Sequence, residues 1–359
     1  MSSLLRFLRG NHAAAQDAVR ALEAYDVTLA TREAFANYLA TADDHALFRF
    51  NPAYFAAQIG LSRRDGLALM WAALQTGIVS LNWEVQCPAC GFQAPAWAGL
   101  RQAHSEFTYA MCKTAFHAHL DDEIHITFSV SERLHSFGRN ADNPAWRNQI
   151  DKQHKPISSH ELLTSQRFRD LFVNEPLPEG ESFQVKWMAL MFTDLGGSTA
   201  IYARKGDPRA YSLVREHFRL IFDAVNESGG AVVKTIGDAV MAVFPSGRKA
   251  VAAAVESQAR IEQFNRERGL GADECLRLKI GIHAGSTLAV TLNDRLDYFG
   301  TVINAAARVQ GLAAHGETVL TRQVLDDVGV RELVPNTSPP EILVLRGLDD
   351  QPFEVVRVK

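Results

Sequence analysis

The chain has 359 residues, of which 47% are hydrophobic and 22% charged, and its formal net charge is −4. This length suits two globular domains, and the composition excludes a disordered or fibrous protein. The small excess of acidic residues argues against a general nucleic-acid-binding protein, because such proteins need clustered cations to meet the phosphates.

The sequence also lacks the features of a membrane or secreted protein. A membrane helix needs roughly 18 or more consecutive apolar residues, and the closest stretch, 67–83, is interrupted by Gln75, Thr76, Gly77 and Asn82. The first ten residues have neither the apolar run nor the cleavage site of a signal peptide. We therefore expect a cytoplasmic protein without membrane insertion.

Helices come first in the N-terminal half. Asn51-Pro52 is a favourable helix start, with Pro at the first helical position, and Ser62 is a suitable N-cap for the next helix. Alternating apolar residues then predict strands. The predicted elements are helices at 1–24, 51–59 and 62–74, and strands at 78–85 and 123–130.

A cysteine pair follows the first of these strands. Cys87-Pro-Ala-Cys90 has the spacing of a zinc knuckle. A complete zinc ribbon would carry a second pair downstream, but Tyr109 stands where one of those cysteines is expected. The candidate Zn²⁺ ligands are Cys87, Cys90, Cys112 and His104, with His117 as an alternative histidine. A bound Zn²⁺ and a ribbon that has lost its metal are both consistent with this pattern.

Residues 135–183 form a predicted connector. The segment is mostly polar and contains Asn143-Pro144 and Lys155-Pro156, which are typical of loops, with one short helix predicted at 161–172. We expect three parts: an N-terminal regulatory domain at 1–134, the connector at 135–183 and a C-terminal domain at 184–359.

Strands and helices alternate after residue 184. Gly237-Asp238 separates two apolar runs and predicts a tight hairpin. The elements predicted here are strands at 187–193, 231–236, 239–244 and within 276–290, helices at 208–225, 248–268 and 301–314, and two short closing strands. The pattern favours an α+β fold with a mostly antiparallel sheet, preceded by a mixed helical domain.

The first segment that carries chemistry is Phe192-Thr193-Asp194-Leu195-Gly196-Gly197-Ser198-Thr199. A carboxylate at the end of a buried strand is followed by two glycines, which let backbone amides approach a phosphate closely. An Asp beside such a turn can hold the Mg²⁺ that accompanies phosphates. A simple strand-to-helix cap is the alternative interpretation of this segment alone.

Two further segments add polar groups. Asp238 lies at the tip of the predicted hairpin, and two carboxylates at strand ends of one sheet can hold two divalent cations about 3.5–4 Å apart. Asn304 and Arg308 are four residues apart and therefore share a helix face, which suits them to stabilise developing negative charge. An ordinary exposed helix face is the alternative.

Together, FTDLGGST, KTIGDAVMAVF and LDYFG followed by Asn304 and Arg308 resemble the class III adenylyl/guanylyl cyclase catalytic domain, over residues 185–358. The resemblance implies a ferredoxin-like fold and a head-to-tail homodimer whose active sites lie across the interface. Residues 30–135 resemble more weakly a ribbon-bearing domain that precedes cyclase domains in some bacterial proteins.

The resemblance also implies a role for each site residue. Asp194, Asp238 and the backbone near Leu195 would hold two Mg²⁺ or Mn²⁺ ions, and the amides around Leu195, Ser198 and Thr199 would cradle the triphosphate. The partner protomer would read the base and stabilise the transition state. The residues assigned to these two tasks are Lys234 and Asp297 for the base, and Asn304 and Arg308 for the ribose and the transition state.

The base-reading residues favour ATP. Lys234 donates and can meet adenine N1, whereas Asp297 accepts and can meet the 6-amino group; guanine presents the opposite pattern. Such a site rejects the wrong base because its buried polar groups stay unpaired. The alternatives are a cyclase for GTP or a pyrimidine nucleotide, and a nucleotide-binding regulator that has lost catalysis.

Two positions depart from the family pattern. Ser286 follows His283-Ala284-Gly285 where some members have Arg, and Arg346 stands where the family usually places a triphosphate-binding Lys. Arg forms a planar fork and is not equivalent to Lys, so the grip on the triphosphate is the part of the site with the weakest match.

Overall fold

The structure is a computed structural model, and it describes residues 12–97, 99–110, 112–172, 176–196, 207–271, 274–348 and 352–358. Contacts divide the chain into two compact units, Met1–Ser159 and His160–Lys359. This boundary falls inside the segment 135–183, whose first part packs with the N-terminal unit and whose second part packs with the C-terminal unit. The three-part division stays a prediction.

The N-terminal unit combines helices with a four-stranded sheet in the order β2-β1-β5-β6. Its helices are α1 (12–20), a 3-10 turn (Ala21–Tyr25), α2 (Leu29–Thr41), α3 (Asp44–Leu47), α4 (Pro52–Gln58), α5 (Arg63–Gln75), a second 3-10 turn (Leu100–Gln102) and α6 (Pro144–Gln153). Its strands are β1 (Val79–Gln86), β2 (Gln93–Trp97), β3 (Glu106–Thr108), β4 (Ala115–His117), β5 (Ile124–Val130) and β6 (Ile157–Ser158).

The predicted helix starts of this unit are present. Asn51 accepts hydrogen bonds from the amides of Ala53 and Tyr54, and Ser62 accepts one from the amide of Asp65, so both act as the N-caps that the sequence predicts. Of the predicted helix at 1–24, residues 1–11 lie outside the described part of the chain. The hairpin of β3 and β4 was not predicted. The prediction of a loop before the helix at 161–172 is wrong at α6, because Asn143 caps this helix and Pro144 occupies its first turn.

A buried ion pair ties the sheet of this unit to the chain before it. Arg49 pairs with Glu84 of β1, whose side chain is fully buried, and also with Asp142 at 3.1 Å. Thr127 of β5 donates a further hydrogen bond to Glu84 at 2.8 Å. A buried charge left without its partner costs several kcal/mol, of the order of 3–5, so these contacts hold the segments in register.

The C-terminal unit begins with two short helices and continues as one sheet with helices on both faces. Its helices are α7 (Ser159–Leu163), α8 (Gln166–Leu171), α9 (Asp207–Glu227), α10 (Gly247–Glu267), α11 (Thr301–Gly311), α12 (Arg322–Leu325) and α13 (Val330–Leu333). Its strands are β7 (Phe183–Leu195), β8 (Ala231–Ile236), β9 (Ala239–Phe244), β10 (Leu278–Leu292), β11 (Arg295–Phe299), β12 (Glu317–Thr321), β13 (Glu341–Val344) and β14 (Pro352–Val358).

The strand order is β13-β14-β12-β10-β7-β9-β8, with β11 paired to β10. Every pairing in it is antiparallel except that of β10 with β12. The mostly antiparallel α+β fold predicted from the sequence is confirmed. The central strand β7 is longer than predicted, because it continues past the apolar run that identified it. Strand β10 lies mostly within the predicted range 276–290 and ends at Leu292.

Neighbouring residues of the sheet point into two separate cores. Leu320 and Val356 pack with α9 and α10, whereas the adjacent Val319 and Val355 pack with α11, as the period-two alternation of a strand requires. The helix with Asn304 and Arg308 therefore lies on the opposite face of the sheet from α9 and α10.

Candidate functional site

The two candidate metal-binding carboxylates lie at one end of the central strands. Asp194 is the second-last residue of β7, and the preceding Thr193 pairs with Val240 of β9. Asp238 is in the turn that joins β8 to β9, where Gly237 has a φ of 66°, a left-handed conformation that glycine adopts without strain. This register brings both aspartates to the same edge of the sheet.

The electrostatics of this edge suit a cation. Burial and the negative charge of Asp238 raise the pKa of Asp194, and Lys279, which is opposite Asp194 in β10, offsets part of this effect. Among the described residues, the buried Oδ2 of Asp238 has no hydrogen-bond partner. Oxygen ligands of this kind are what Mg²⁺ prefers, so the residues present fit a divalent cation.

His217 supports the turn that carries Asp238. This histidine of α9 is fully buried, with Nδ1 2.6 Å from the carbonyl oxygen of Val214 and Nε2 3.1 Å from that of Asp238. Burial lowers its pKa, and a neutral imidazole donates to only one of the two carbonyls. His217 belongs to none of the sequence motifs; the signal that could have identified it is a histidine on the apolar face of an amphipathic helix.

The two candidate base-reading residues are in direct contact. Lys234 Nζ lies 2.5 Å from Asp297 Oδ2, although β8 and β11 are not neighbours in the sheet. The other oxygen, Oδ1, accepts the amide of Tyr298 at 2.8 Å. The Asp297 side chain is 11% exposed and that of Lys234 39% exposed. A donor and an acceptor are therefore adjacent, and the donor, Lys234, is partly exposed to solvent.

Helix α8 contacts both strands of this pair. Gln166 Oε1 accepts the amide of Val232 in β8 at 2.8 Å. Arg169 donates to the carbonyl oxygen of Leu296 in β11 at 3.1 Å, and its guanidinium lies 5.3 Å from the ring centre of Tyr298. The contacts of Arg169 flank Asp297. The sequence predicts one helix at 161–172, where the structure has the two short helices α7 and α8, and it does not predict this role.

Asn304 and Arg308 lie on the exposed face of α11, whose opposite face buries Val302, Ala305 and Val309. No hydrogen bond or ion pair joins either side chain to another residue in the described ranges. The structure thus brings the two carboxylates to one end of the sheet and brings the two base-reading residues into contact. The Asn304–Arg308 pair is exposed and has no partner among the described residues.

The remaining predicted positions are less well defined. The Leu195 side chain is in the core, so only its backbone is available for the metal site. Ser198 and Thr199 lie outside the described residues. Ser286 sits at a register shift between β10 and β7 and accepts a hydrogen bond from Gln184 at 3.3 Å. Arg346 is exposed after β13.

The cysteines of the N-terminal unit form a cluster. The sulfur atoms of Cys87, Cys90 and Cys112 all lie within 4.8 Å of one another, and hydrogen bonds from Thr114 lower the pKa of the Cys112 thiol to about 7. His104 is not a member of this group: its Nδ1 accepts the indole N–H of Trp97 at 3.1 Å. The cluster could hold a metal through its three thiolates.

Two different protein families match the N-terminal and the C-terminal unit. Residues 181–333 match the adenylate and guanylate cyclase catalytic domain, and residues 14–150 match a family of unknown function (DUF5939). With the motifs and the mostly antiparallel sheet in agreement, residues 181–333 of this chain form a class III adenylate/guanylate cyclase catalytic domain.

Several relatives share this half. An adenylate cyclase of Anabaena cylindrica is 27% identical over 213 residues, which are 56% of this chain and 41% of that protein. Adenylate cyclase 2 of Rhizobium meliloti is 30% identical over 160 residues, 42% of each chain. A solved adenylate cyclase structure from Trypanosoma brucei is 24% identical, covers 48% of this chain and 90% of that one, and has a TM-score of 0.42. The chain spans less than half the length of these curated relatives.

No helix among the described residues is long and apolar enough to cross a membrane.

Proposed function

We propose that this chain is an adenylate cyclase that converts ATP into 3′,5′-cyclic AMP and pyrophosphate. The observation that carries the proposal is the contact between Lys234 and Asp297. Adenine presents an acceptor at N1 beside a donor at its 6-amino group, and the pair offers a donor beside an acceptor. The adenylate cyclases among the relatives support the same substrate.

The polar residues of the site have three tasks in the proposed reaction: they bind the base, orient the ribose and stabilise the transition state. Lys234 and Asp297 bind and orient the adenine, and Asn304 orients the ribose so that its 3′-hydroxyl faces the α-phosphorus. The 3′-oxygen attacks this phosphorus, loses its proton to solvent and displaces pyrophosphate. Arg308 offsets the negative charge that grows on the α-phosphoryl oxygens, an effect worth about 10²–10³ in rate for one well-placed donor.

Asp194 and Asp238 hold the divalent cations, Mg²⁺ or Mn²⁺, that the reaction requires. When bound, these ions supply positive charge that acidifies the 3′-hydroxyl and neutralises the triphosphate. The residues of this chain would supply the ligands: the Oδ2 of Asp238, which has no partner among the described residues, and the carboxylate of Asp194, whose raised pKa a bound cation would lower.

We further propose that the active site is assembled between two copies of the chain. Asn304 and Arg308 are exposed and lack partners among the described residues, as expected for groups that complete a site on another protomer. Large apolar side chains near the same motifs are also exposed: Ile236 beside Asp238 is 56% exposed and Phe299 beside Asp297 is 63% exposed. A symmetric homodimer would cover them.

The substrate assignment is tested by comparing turnover of ATP, GTP, CTP and UTP, each with Mg²⁺ and with Mn²⁺. We expect ATP to be preferred, and we expect Lys234→Glu combined with Asp297→Cys to shift the preference towards GTP, because the donor and acceptor are exchanged for the guanine pattern. Unchanged ATP preference in this variant would refute the base-reading roles. No turnover of any nucleotide would favour a regulator without catalysis.

The cysteine cluster belongs to a separate proposal. We assign Cys87, Cys90 and Cys112 as ligands of one Zn²⁺ in the N-terminal unit, because Zn²⁺ is typically bound by thiolates at such separations. We propose that this unit regulates the cyclase domain. We also propose the cytoplasmic location predicted from the sequence, because free thiolates persist in a reducing compartment.

A further inference from the structure

Two turns of the N-terminal unit share one backbone geometry. In the first, the amide of Cys87 donates to the carbonyl of Phe92 at 3.0 Å, and that of Gly91 donates to Cys87 at 2.8 Å. In the second, the amide of Tyr109 donates to Thr114 at 2.9 Å, and that of Lys113 donates to Tyr109 at 2.8 Å. The two turns are thus hydrogen-bonded in the same way.

The left-handed residue occupies the same place in both turns. Gly91 has a φ of 69° and Lys113 a φ of 55°. Glycine adopts this conformation freely, whereas for lysine it is uncommon and strained. The second turn therefore keeps the knuckle geometry although its sequence has no glycine to favour it.

This correspondence identifies what occupies each ligand position. Cys90 of the first turn matches Cys112 of the second, and Cys87 matches Tyr109. The Sγ atoms of Cys87 and Cys112 are 3.5 Å apart, near the roughly 3.8 Å edge of a tetrahedron with Zn–S bonds of about 2.3 Å. Three corners of a tetrahedral site thus have thiols, and the fourth corner corresponds to Tyr109.

Among the described residues, no histidine, aspartate, glutamate or further cysteine joins the three thiols as a fourth ligand. The ring of Tyr109 packs against Phe92, with centroids 5.6 Å apart, and His104 is held by Trp97 and by the ring of Phe107 at 4.7 Å. Cys90 and Cys112 are both exposed, so the cluster is reachable from solvent.

We infer that the ion in this cluster has three protein thiolates and an open fourth position that accepts an exchangeable ligand, such as water, an imidazole or a small thiol. This inference rests on the proposed Zn²⁺ site. An open position is typical of zinc that binds a ligand rather than of purely structural zinc, and it would give the N-terminal unit a site for a soft small molecule.

The test uses the full chain and Co²⁺ as a spectroscopic probe for Zn²⁺. We expect one ion per chain, a sulfur-to-cobalt absorption that Zn²⁺ abolishes, and a change of the visible bands on adding imidazole. Cys112→Ser should weaken binding at least about tenfold through loss of a thiolate. Cys275→Ser is the matched control, because this cysteine of the C-terminal unit bonds to the Leu270 carbonyl at 3.3 Å and should leave binding unchanged.

Tyr109→Cys distinguishes an open site from a closed one. A fourth thiolate should tighten Zn²⁺ binding at least about tenfold and remove the response to imidazole. If the parent protein binds Co²⁺ but neither responds to imidazole nor gains affinity with Tyr109→Cys, the fourth position is already filled and the inference is wrong. If the parent protein binds no ion, or Cys112→Ser binds equally well, the Zn²⁺ site itself is wrong, with no consequence for the proposed cyclase activity.

Discussion

Single residues decide whether the end of the sheet that carries Asp194 and Asp238 can bind a cation. Burial and the repulsion from Asp238 raise the pKa of Asp194, and Lys279, the hydrogen bond from Leu195 and His217 oppose this rise. In the absence of a cation, Asp194 and Asp238 therefore destabilise the folded state locally. Such destabilisation is common at binding sites that are already formed before their ligand binds. His217 holds the Asp238 turn in place from the helix behind it.

Asp194→Asn is expected to reduce cyclase activity by about 10²-fold or more, since a lost electrostatic contact with the transition state has an effect of that size. In EDTA the same variant should melt at a higher temperature than the parent at pH 7. The raised pKa means that the contribution of Asp194 to stability is favourable at low pH and is lost as the pH rises through the folded-state pKa.

The difference in melting temperature between the variant and the parent should therefore grow as the pH rises from about 4, near the ordinary pKa of an aspartate, through the raised folded-state pKa of Asp194. Thermal unfolding at each pH measures it, and Glu332→Gln, which removes an exposed carboxylate of the same unit, is the control. A variant that stays active, or that melts lower than the parent at pH 7 in EDTA, would contradict this account.

At the scale of elements, α8 holds the two strands that carry the base-reading pair. Lys234 and Asp297 are on strands that do not pair, so their contact depends on something other than the ladder of the sheet. Gln166 and Arg169 contact the backbone on each side of it. This places a segment that precedes the cyclase motifs in direct contact with the proposed adenine site.

Arg169→Ala is expected to raise the KM for ATP severalfold with a smaller effect on kcat, because the residue acts on the position of Asp297 and not on the reacting phosphate. The loss of one hydrogen bond and one cation–π contact amounts to about 1–2 kcal/mol. Arg167→Ala on the same helix is the matched control, since Arg167 is exposed. Equal changes in both variants, or a loss confined to kcat, would show that α8 does not position the base site.

At the scale of the whole molecule, the proposed homodimer accounts for the distribution of polar groups. The carboxylate pair, the base-reading pair and the Asn304–Arg308 pair are all present in one protomer, yet the last of these has no partner among the described residues. In a two-fold dimer each protomer contributes different groups to each of two equivalent sites.

This arrangement predicts complementation between inactive variants. Asp194→Ala and Arg308→Ala should each be nearly inactive alone, whereas an equimolar mixture, allowed to exchange subunits, should recover about a quarter of the parent activity, because half of the dimers then contain one intact site. Mixing Asp194→Ala with Asp238→Ala is the control and should recover nothing, since both variants lack the same half of the site. Recovery in neither mixture would contradict a shared site.

The sequence by itself determined most of the long elements of the C-terminal unit and the identity of the candidate site residues. The hairpin of β8 and β9 has the predicted bounds, because its information is local: two apolar runs and a glycine-containing turn. Asp194, Asp238, Lys234 and Asp297 were found in short motifs for the same reason.

Only the tertiary structure decided which of these residues meet. The contact between Lys234 and Asp297 joins positions 63 apart in the chain, and the support from His217 and Arg169 comes from helices whose own sequences do not specify what they touch. The match between Tyr109 and Cys87 likewise depends on backbone hydrogen bonds. Local patterns set the type of each element, but long-range packing and strand register fix the contacts between elements, and these are not encoded in any one segment.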